Sequence, residues 1–395
     1  MKMPRNVVAM GLVSLFNDIS SEMIYPIIPI FLKTILGAPV AIIGLIEGVA
    51  ESTASLFKLF SGWISDKLKK RKIFVTIGYS LSGIAKVLIG LAQSWPFVLF
   101  ARFIDRFGKG TRVAARDALI LESVEPQQRG RAFGLHRSMD SMGAVIGPIL
   151  ALILVDIYSE NYRNVFFLAA IPSVIGVLLL ILLVKEKKRE AVLPAQVPAV
   201  LKFKWSDFSP SFKYFLLIML IFSIGNSSDA FLILRAQNLG LDVTLTVGAY
   251  VLYNIAYTIF SYPAGVITDK IGPKKVLAVG LWLFAIVYLL FGFIQSPVFI
   301  WILFPLYGIY IGLTDGISRA YMSTMVPTEK SGTAFGAQQM VVGICVLFAS
   351  IIAGLLWTKV SPSAPFYFGG IMAAIAAVMF TFSTAPKLTN SSSSG

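Results

Sequence analysis

Five basic side chains recur at helical spacing within the segment ARFIDRFGKGTRVAARDAL, residues 101–119. Their separations of 4, 3, 3 and 4 residues place them along one face of an α-helix, and they are Arg102, Arg106, Lys109, Arg112 and Arg116. This basic row could bind an anionic group of a solute or pair with buried carboxylates. Apolar residues surround the row in sequence, so it must face protein or water rather than lipid.

Acidic partners for the basic row are available on the same side of the chain. Asp18 and Glu22 lie one turn apart, Glu47 and Glu51 repeat that spacing, and Asp105 belongs to the row's own segment. A buried ion network and a substrate-binding site are equally good interpretations of Arg102 and Arg106. For Arg112 and Arg116, which lie near the end of the segment, contacts at a gate are favoured.

The second half of the chain carries fewer charges in its apolar segments. Its main carboxylates there are Asp229 and Asp315, and neutral polar groups accompany them at Asn226, Tyr253 and Asn254. Aromatic rings with hydroxyl tips can form the wall of a binding site, although ordinary packing explains many of them. The asymmetry favours a charged first half that faces a more apolar wall.

The composition restricts the class of protein that could hold these groups. Hydrophobic residues make up 56% of the 395 residues and charged residues 14%, and the mean hydropathy is +0.79. These values indicate an integral membrane protein. The net charge of +14 comes from short basic clusters between apolar runs, which is typical of cytoplasmic loops and not of a nucleic-acid surface. With one histidine and one cysteine, no metal site, cofactor or enzymatic centre is predicted.

Twelve apolar segments are long enough to cross a bilayer, so the sequence predicts an all-α membrane protein with twelve transmembrane helices. The basic clusters fall on alternate loops, which predicts that both termini are cytoplasmic. The predicted spans are 8–32, 40–61, 73–93, 96–118, 132–155, 165–184, 214–235, 245–264, 275–294, 298–321, 335–357 and 366–384.

Three pairs of short motifs recur in the same order at a distance of roughly 200 residues, as expected for an internal duplication. GWISDKLKKRK is followed by GVITDKIGPKK, VEPQQRGRAFG by VPTEKSGTAFG, and SSE, ending at Glu22, by SSD, ending at Asp229. The duplication predicts two pseudo-symmetric six-helix bundles. Their expected boundaries are 1–185 for the first bundle, 186–211 for a cytoplasmic linker, 212–386 for the second bundle and 387–395 for a tail.

The two longer loop motifs resemble the signature G-x-L-A-D-R-x-G-R-K of the major facilitator superfamily. Gly62 and Asp66 fall on the pattern in the first copy, where Lys69 replaces the second glycine, and Gly265 and Asp269 fall on it in the second. The resemblance covers essentially the whole chain and implies the major facilitator fold with alternating access. In that family this loop helps to hold the two halves together on the cytoplasmic side.

The resemblance suggests a cytoplasmic gate. Asp66 is expected to cap the eleventh span near Gln338, and Asp269 is expected to cap the fifth span near His136 and Arg137. The residues expected at this gate are Gly62, Asp66, Arg112, Arg116, Arg137, Gly265 and Asp269.

Two further motifs resemble signatures of the family, the first that of its drug/proton antiporter branch and the second that of its fourth helix. GAVIGPILA places Gly143, Gly147 and Pro148 on the pattern G-x-x-x-G-P-x-x-G-G, although its last two glycines are replaced, and close helix packing explains the motif equally well. Arg106 and Lys109 match R-x-x-Q-G except that lysine stands where glutamine is usual, which leaves the proton-transfer role of that signature open.

The resemblance implies a secondary active transporter of the inner (cytoplasmic) membrane, a monomer that moves a small organic solute and protons across the lipid bilayer. Export by proton antiport is favoured. Uptake of an anionic metabolite or metal chelate, a channel and a transport-dead sensor are the alternatives. The basic row suits an anionic or zwitterionic solute, whereas the acidic groups suit a cation. Glu22 and Asp229, which occupy matching places in the two halves, are the leading candidates for carboxylates that couple transport to protons.

Overall fold

The computed structural model describes residues 3–68, 70–125, 128–158, 161–186, 208–326 and 331–383, and its long elements are all helices. The first seven are α1 (Arg5–Ile24), α2 (Ile28–Thr34), α3 (Val40–Leu68), α4 (Arg71–Leu91), α5 (Trp95–Glu122), α6 (Arg129–Ile157) and α7 (Tyr162–Leu183). The other seven are α8 (Pro210–Gly225), α9 (Ala230–Asn238), α10 (Val243–Ile271), α11 (Pro273–Phe293), α12 (Ile300–Ser323), α13 (Ser331–Lys359) and α14 (Ala364–Phe382). A short 3₁₀ helix, Pro297–Phe299, precedes α12. The helices confirm the all-α prediction.

The first and seventh predicted spans are each broken into two helices. The first break, between α1 and α2, contains Pro26, whose missing N–H and bulky ring interrupt a helix. The second break, between α8 and α9, contains no proline. There the Ser228 N–H donates to the Ser350 hydroxyl over 3.2 Å, and the Ser228 hydroxyl accepts from the Ala230 N–H over 3.3 Å, so side chains replace the lost helical hydrogen bonds. The two predicted spans are therefore present, but each consists of two helices and not one.

Eleven described segments are long and apolar enough to span a membrane, counting each broken pair as one. The fourth predicted span, now α5, is not among them because its 28 residues include the whole basic row. Its arginines turn inward: Arg102, Arg106 and Arg112 are buried in the protein. The prediction that the basic row avoids lipid is thus confirmed for these three side chains.

The helix contacts follow one pattern twice along the chain. Among the first seven helices, α1 packs on α6 and α7, and α4 on α5 and α7. Among the last seven, α8 packs on α13 and α14, and α11 on α12 and α14. Further contacts join the two sets, α3 with α13 and α6 with α10. α8 begins within the linker expected at 186–211; most of that linker and the expected tail at 387–395 lie outside the described residues.

The ends of the molecule differ in how tightly the two sets of helices meet. The first and last described residues, 3 and 383, lie at one end of the helices, which we call the terminal side; the opposite end, where α3 begins, is the far side. Near the far side, α3 and α13 touch backbone to backbone. A β-carbon added at Gly48 would lie 2.9 Å from the Leu347 carbonyl oxygen, and one added at Gly354 would lie 2.8 Å from the Ala41 Cα. At the terminal side, a cavity lies between the sets.

Candidate functional site

Arg102 and Arg106 of α5 form a buried ion network with carboxylates of α3. The Arg102 guanidinium contacts both Glu47 oxygens, at 2.6 and 2.8 Å, and each side chain is only 2% exposed. Arg106 lies 3.1 Å from Glu51, and Asp105 lies 3.7 and 3.8 Å from the two guanidinium groups. The close α3–α5 packing brings these charges together. The close pairing of Arg102 with Glu47 favours the structural interpretation of this residue, although its Nε is buried without a hydrogen-bond partner among the described residues.

Two basic side chains extend the network into α4, and one of them was missed in the sequence. Lys86 is fully buried, and its ammonium group donates to the Ser82 carbonyl over 3.1 Å and to the Ser21 hydroxyl over 3.3 Å. Arg112 donates to the Ser82 hydroxyl over 2.8 Å and lies over the Tyr79 ring at 4.6 Å. The sequence signal that could have predicted a buried role for Lys86 is a single lysine within an otherwise apolar span.

Glu22 and Asp229 lie beside the two helix breaks, and tyrosines bind both carboxylates. The Tyr250 hydroxyl of α10 donates to Glu22 over 3.0 Å, and the Tyr25 and Tyr250 rings stack at 5.7 Å. Asp229 accepts hydrogen bonds from the Tyr307 hydroxyl over 2.7 Å and from the Tyr253 hydroxyl over 3.3 Å. The two residues that the repeat pairs in sequence thus both lie next to the break of the first helix in each half, Glu22 in the last turn of α1 and Asp229 directly before α9.

The remaining polar residues expected on the pathway surround this centre. Asn226 lies in the second helix break, and Asn254 is buried and donates to the Tyr250 carbonyl over 3.1 Å. Lys109 is exposed, although it lies in the middle of α5, and it is close enough to Glu51 and Asp18 for their charges to act on it.

A cavity of about 720 Å³ opens at the terminal side between α5, α6, α10 and α12. Across it, the Arg137 guanidinium of α6 lies 2.7 Å from Asp315 of α12 and also donates to the Tyr257 hydroxyl. Arg319 lies 3.5 Å from the same carboxylate. Asp315, grouped with the pathway residues in the sequence, is therefore the partner of a residue expected at the gate.

Other expected gate residues line the same cavity. Gly265, Asp269, His136 and Arg116 all contribute to its wall, and Arg116 pairs with Asp117 at 2.9 Å. Asp269 thus lies at the same cavity as His136 and Arg137, whereas its capping of a helix stays a prediction. The described part of the chain does not include the surroundings of Gly62, the side chain of Asp66 or residue 69. The expected contact of Asp66 near Gln338 therefore also stays a prediction.

Replacing Arg137 by glutamine is expected to weaken the link across the cavity modestly. The two side chains are 55% and 38% exposed, and such pairs contribute below about 1 kcal/mol, so the conformational equilibrium should shift about two- to fivefold toward opening. The measurement is the rate of maleimide reaction at a cysteine placed at Ser261, in the Cys345→Ser background in detergent. Arg319→Gln, which removes the longer contact, should change the rate less. An unchanged rate in Arg137→Gln would contradict a gating role.

The antiporter-like motif brings α1 against α6. A β-carbon added at Gly143 would lie 2.8 Å from the Asp18 Cβ, and one added at Gly147 would lie 2.7 Å from both the Glu22 Cβ and the Ile19 carbonyl oxygen. The predicted close contact is confirmed, and it sets the positions of the two carboxylates on α1. Pro148 lies within α6, one residue beyond this contact.

Gly147→Ala is expected to disrupt the α1–α6 contact, because the added methyl group meets a backbone carbonyl that has no room to move away. Overpacking of this kind costs about 1–3 kcal/mol. Thermal unfolding in detergent should show the loss. The matched control is Gly134→Ala in the same helix, where an added β-carbon has no neighbour within 4 Å. Equal stability of the two variants would refute the packing role of Gly147.

Comparison with known families decides the classification. The sequence model of the Major Facilitator Superfamily matches residues 10–250 and 215–395, which together include nearly all of the chain. The chain belongs to the major facilitator superfamily. Its similarity to an uncharacterized MFS-type transporter of Methanocaldococcus jannaschii is 37% identity over 387 residues, covering 96% of this chain and 95% of the relative. The family resemblance seen in the sequence is thereby confirmed.

More distant members of the superfamily add to this comparison. The multidrug resistance protein MdtG of Escherichia coli is 25% identical over 350 residues, covering 84% of this chain and 82% of MdtG. A solved structure of a POT family transporter in complex with 5-aminolevulinic acid superimposes with a TM-score of 0.80 at 14% identity, covering 96% of both chains. At this identity the superposition supports the major facilitator fold only. The chain is therefore a multi-pass membrane transporter of this superfamily.

Proposed function

We propose that this transporter exports a small organic solute by proton antiport, with two six-helix bundles that alternate between inward-open and outward-open arrangements. The terminal side is cytoplasmic, as the distribution of basic loops predicts. The packed far side then corresponds to a closed outer side, and the Arg137–Asp315 pair still joins the two sets of helices across the inner cavity. Similarity to a protein named for multidrug resistance supports export over uptake.

The observation that carries the proposal is the placement of Glu22 and Asp229 at the two helix breaks. In membrane transporters, broken helices near the middle of the membrane form substrate and ion sites, because the unpaired backbone groups there need polar partners. Glu22 contacts the opposite bundle through Tyr250, so its protonation can affect how the bundles meet. A carboxylate that links two moving bodies is suited to coupling proton binding to their motion.

The pairing of the arginines bears on the charge of the solute. Because Arg102 is held by Glu47, it has little capacity to bind a solute anion, and the tyrosines and carboxylates near the breaks favour a cationic or zwitterionic solute. Lys109 favours the second candidate, uptake of an anionic metabolite, because it is the one residue of the basic row that is classed as exposed.

Purified protein in liposomes tests the proposal. Thermal shifts with organic cations and anions side by side would select a probe, for example ethidium or citrate. With the membrane potential clamped, an inside-acidic pH gradient should drive accumulation of the probe, because protons leave as the probe enters. Accumulation only under an inside-alkaline gradient would indicate symport and hence uptake. Flux without counterflow would indicate a channel, and absence of any flux would indicate a sensor.

A further inference from the structure

Asp18 of α1 and Asp140 of α6 meet at the contact between these helices. The Gly143 backbone, one turn along α6 from Asp140, abuts the Asp18 Cβ, and the two carboxyl groups are close enough to interact directly. The Asp140 side chain is 16% exposed and lines the terminal-side cavity. Two carboxylates cannot hydrogen-bond to each other when both are ionised, because neither then carries a donor. This contact therefore requires one proton.

A buried histidine adjoins the two carboxyl groups. His136 lies one turn before Asp140, its Nδ1 is 3.5 Å from an Asp140 oxygen, and its side chain is only 4% exposed. Its Nε2 and the Asp140 Oδ1 are buried without a hydrogen-bond partner among the described residues. Buried polar side-chain atoms usually have a hydrogen-bond partner, so the unpartnered nitrogen of this imidazole calls for a functional explanation. It gives the carboxyl pair a neighbour that can accept or donate a proton.

Charged and titratable groups face this cluster from every helix packed around it. They are Lys86 from α4, Lys109, Arg112, Arg116 and Asp117 from α5, His136 and Arg137 from α6, Tyr257 from α10 and Asp315 from α12. The cations stabilise one negative charge on the pair. They are held apart by their own contacts, Arg112 with Ser82 and Arg116 with Asp117, so neither forms a direct ion pair with Asp18 among those described.

We infer that Asp18 and Asp140 form a carboxyl dyad that binds one proton, a site separate from Glu22 and Asp229 and in contact with the terminal-side cavity. The proton lies between one oxygen of each side chain, and it exchanges with water in the cavity by way of Asp140. A role of the dyad in transport, as the proton-binding site nearest the cytoplasmic side, rests on the proposed proton coupling. Proton binding by the dyad does not.

Carbodiimide labelling tests the dyad without substrate or gradient. Dicyclohexylcarbodiimide reacts with protonated carboxyl groups in apolar surroundings, and mass spectrometry locates the adduct. In the wild-type protein at neutral pH, Asp18 or Asp140 should be labelled. In Asp140→Asn, labelling of Asp18 should fall at least severalfold, because its like-charged neighbour is gone and the new amide donates to its ionised form. The reciprocal variant, Asp18→Asn, should reduce labelling of Asp140. It provides the same test if Asp140→Asn fails to fold.

The matched control is Asp156→Asn, which changes an exposed carboxylate of the same helix and should leave labelling of Asp18 unchanged. Wild-type protein with neither carboxyl group labelled at neutral pH would overturn the dyad, as would labelling of the reactive carboxyl group that is unchanged when its partner is replaced by asparagine. The proposed function fails separately, by absence of gradient-driven transport. A labelled dyad in a protein without proton-driven transport would refute the transport proposal and leave the proton site intact.

Discussion

Removing either member of the Arg102–Glu47 pair should destabilise the protein by about 3–5 kcal/mol, because the partner is left charged, buried and unpaired. Both side chains are 2% exposed, so water cannot replace the lost contact without a rearrangement of α3 and α5. Arg102→Met and Glu47→Leu keep approximate size while removing one charge each. Thermal or denaturant unfolding in detergent measures the loss.

The double variant Arg102→Met/Glu47→Leu separates charge from packing. Apolar replacements of both partners of a buried ion pair are often close to neutral, so the double variant should recover much of the stability lost in either single variant. Arg319→Met is the control, because its contact with Asp315 is long and exposed. Losses that simply add in the double variant would contradict the interpretation of the pair as a mutually neutralising unit.

Asp229→Asn and Glu22→Gln should each reduce gradient-driven accumulation more than tenfold while leaving substrate exchange measurable. An amide keeps an oxygen that can accept from Tyr307 or Tyr250, and in Asp229→Asn its NH2 can donate to the Tyr253 hydroxyl oxygen, but it can no longer bind and release a proton. Exchange at equal pH does not require that cycle and should persist.

The measurement is liposome transport of one probe, with and without an imposed pH gradient. Asp156→Asn, which changes an exposed carboxylate of α6, is the control for loss of a negative charge. Normal accumulation by both variants under the gradient would exclude proton coupling through this pair. In that case the Asp18–Asp140 dyad becomes the next site to test by the same protocol.

The sequence was informative where local rules decide the outcome. Hydropathy and helical spacing predicted the spans and the inward orientation of the basic row, because a charge facing lipid is costly wherever it occurs. The internal repeat in the sequence is enough to pair Glu22 with Asp229. Pro26 was a visible signal for the first helix break, and it was overlooked because the apolar run continues beyond it.

Other features depend on which helices approach one another, and the sequence alone does not determine that. The preference of Arg102 for Glu47 rather than Glu22 follows from the packing of α5 on α3. The meeting of Asp18 with Asp140 follows from the α1–α6 contact at Gly143. The break near Asn226 has no proline, so its stabilisation by Ser350, more than a hundred residues later, was not readable from local sequence.

The two ends of the molecule differ in their sensitivity to salt. Near the far side, α3 and α13 adhere through backbone contacts of glycines, and short-range dispersion forces of this kind respond little to dissolved ions. The terminal side is joined by the half-exposed Arg137–Asp315 pair, whose attraction weakens as the screening length falls to about 8 Å at physiological ionic strength. Rising ionic strength therefore loosens the terminal side selectively and leaves the far side nearly unchanged.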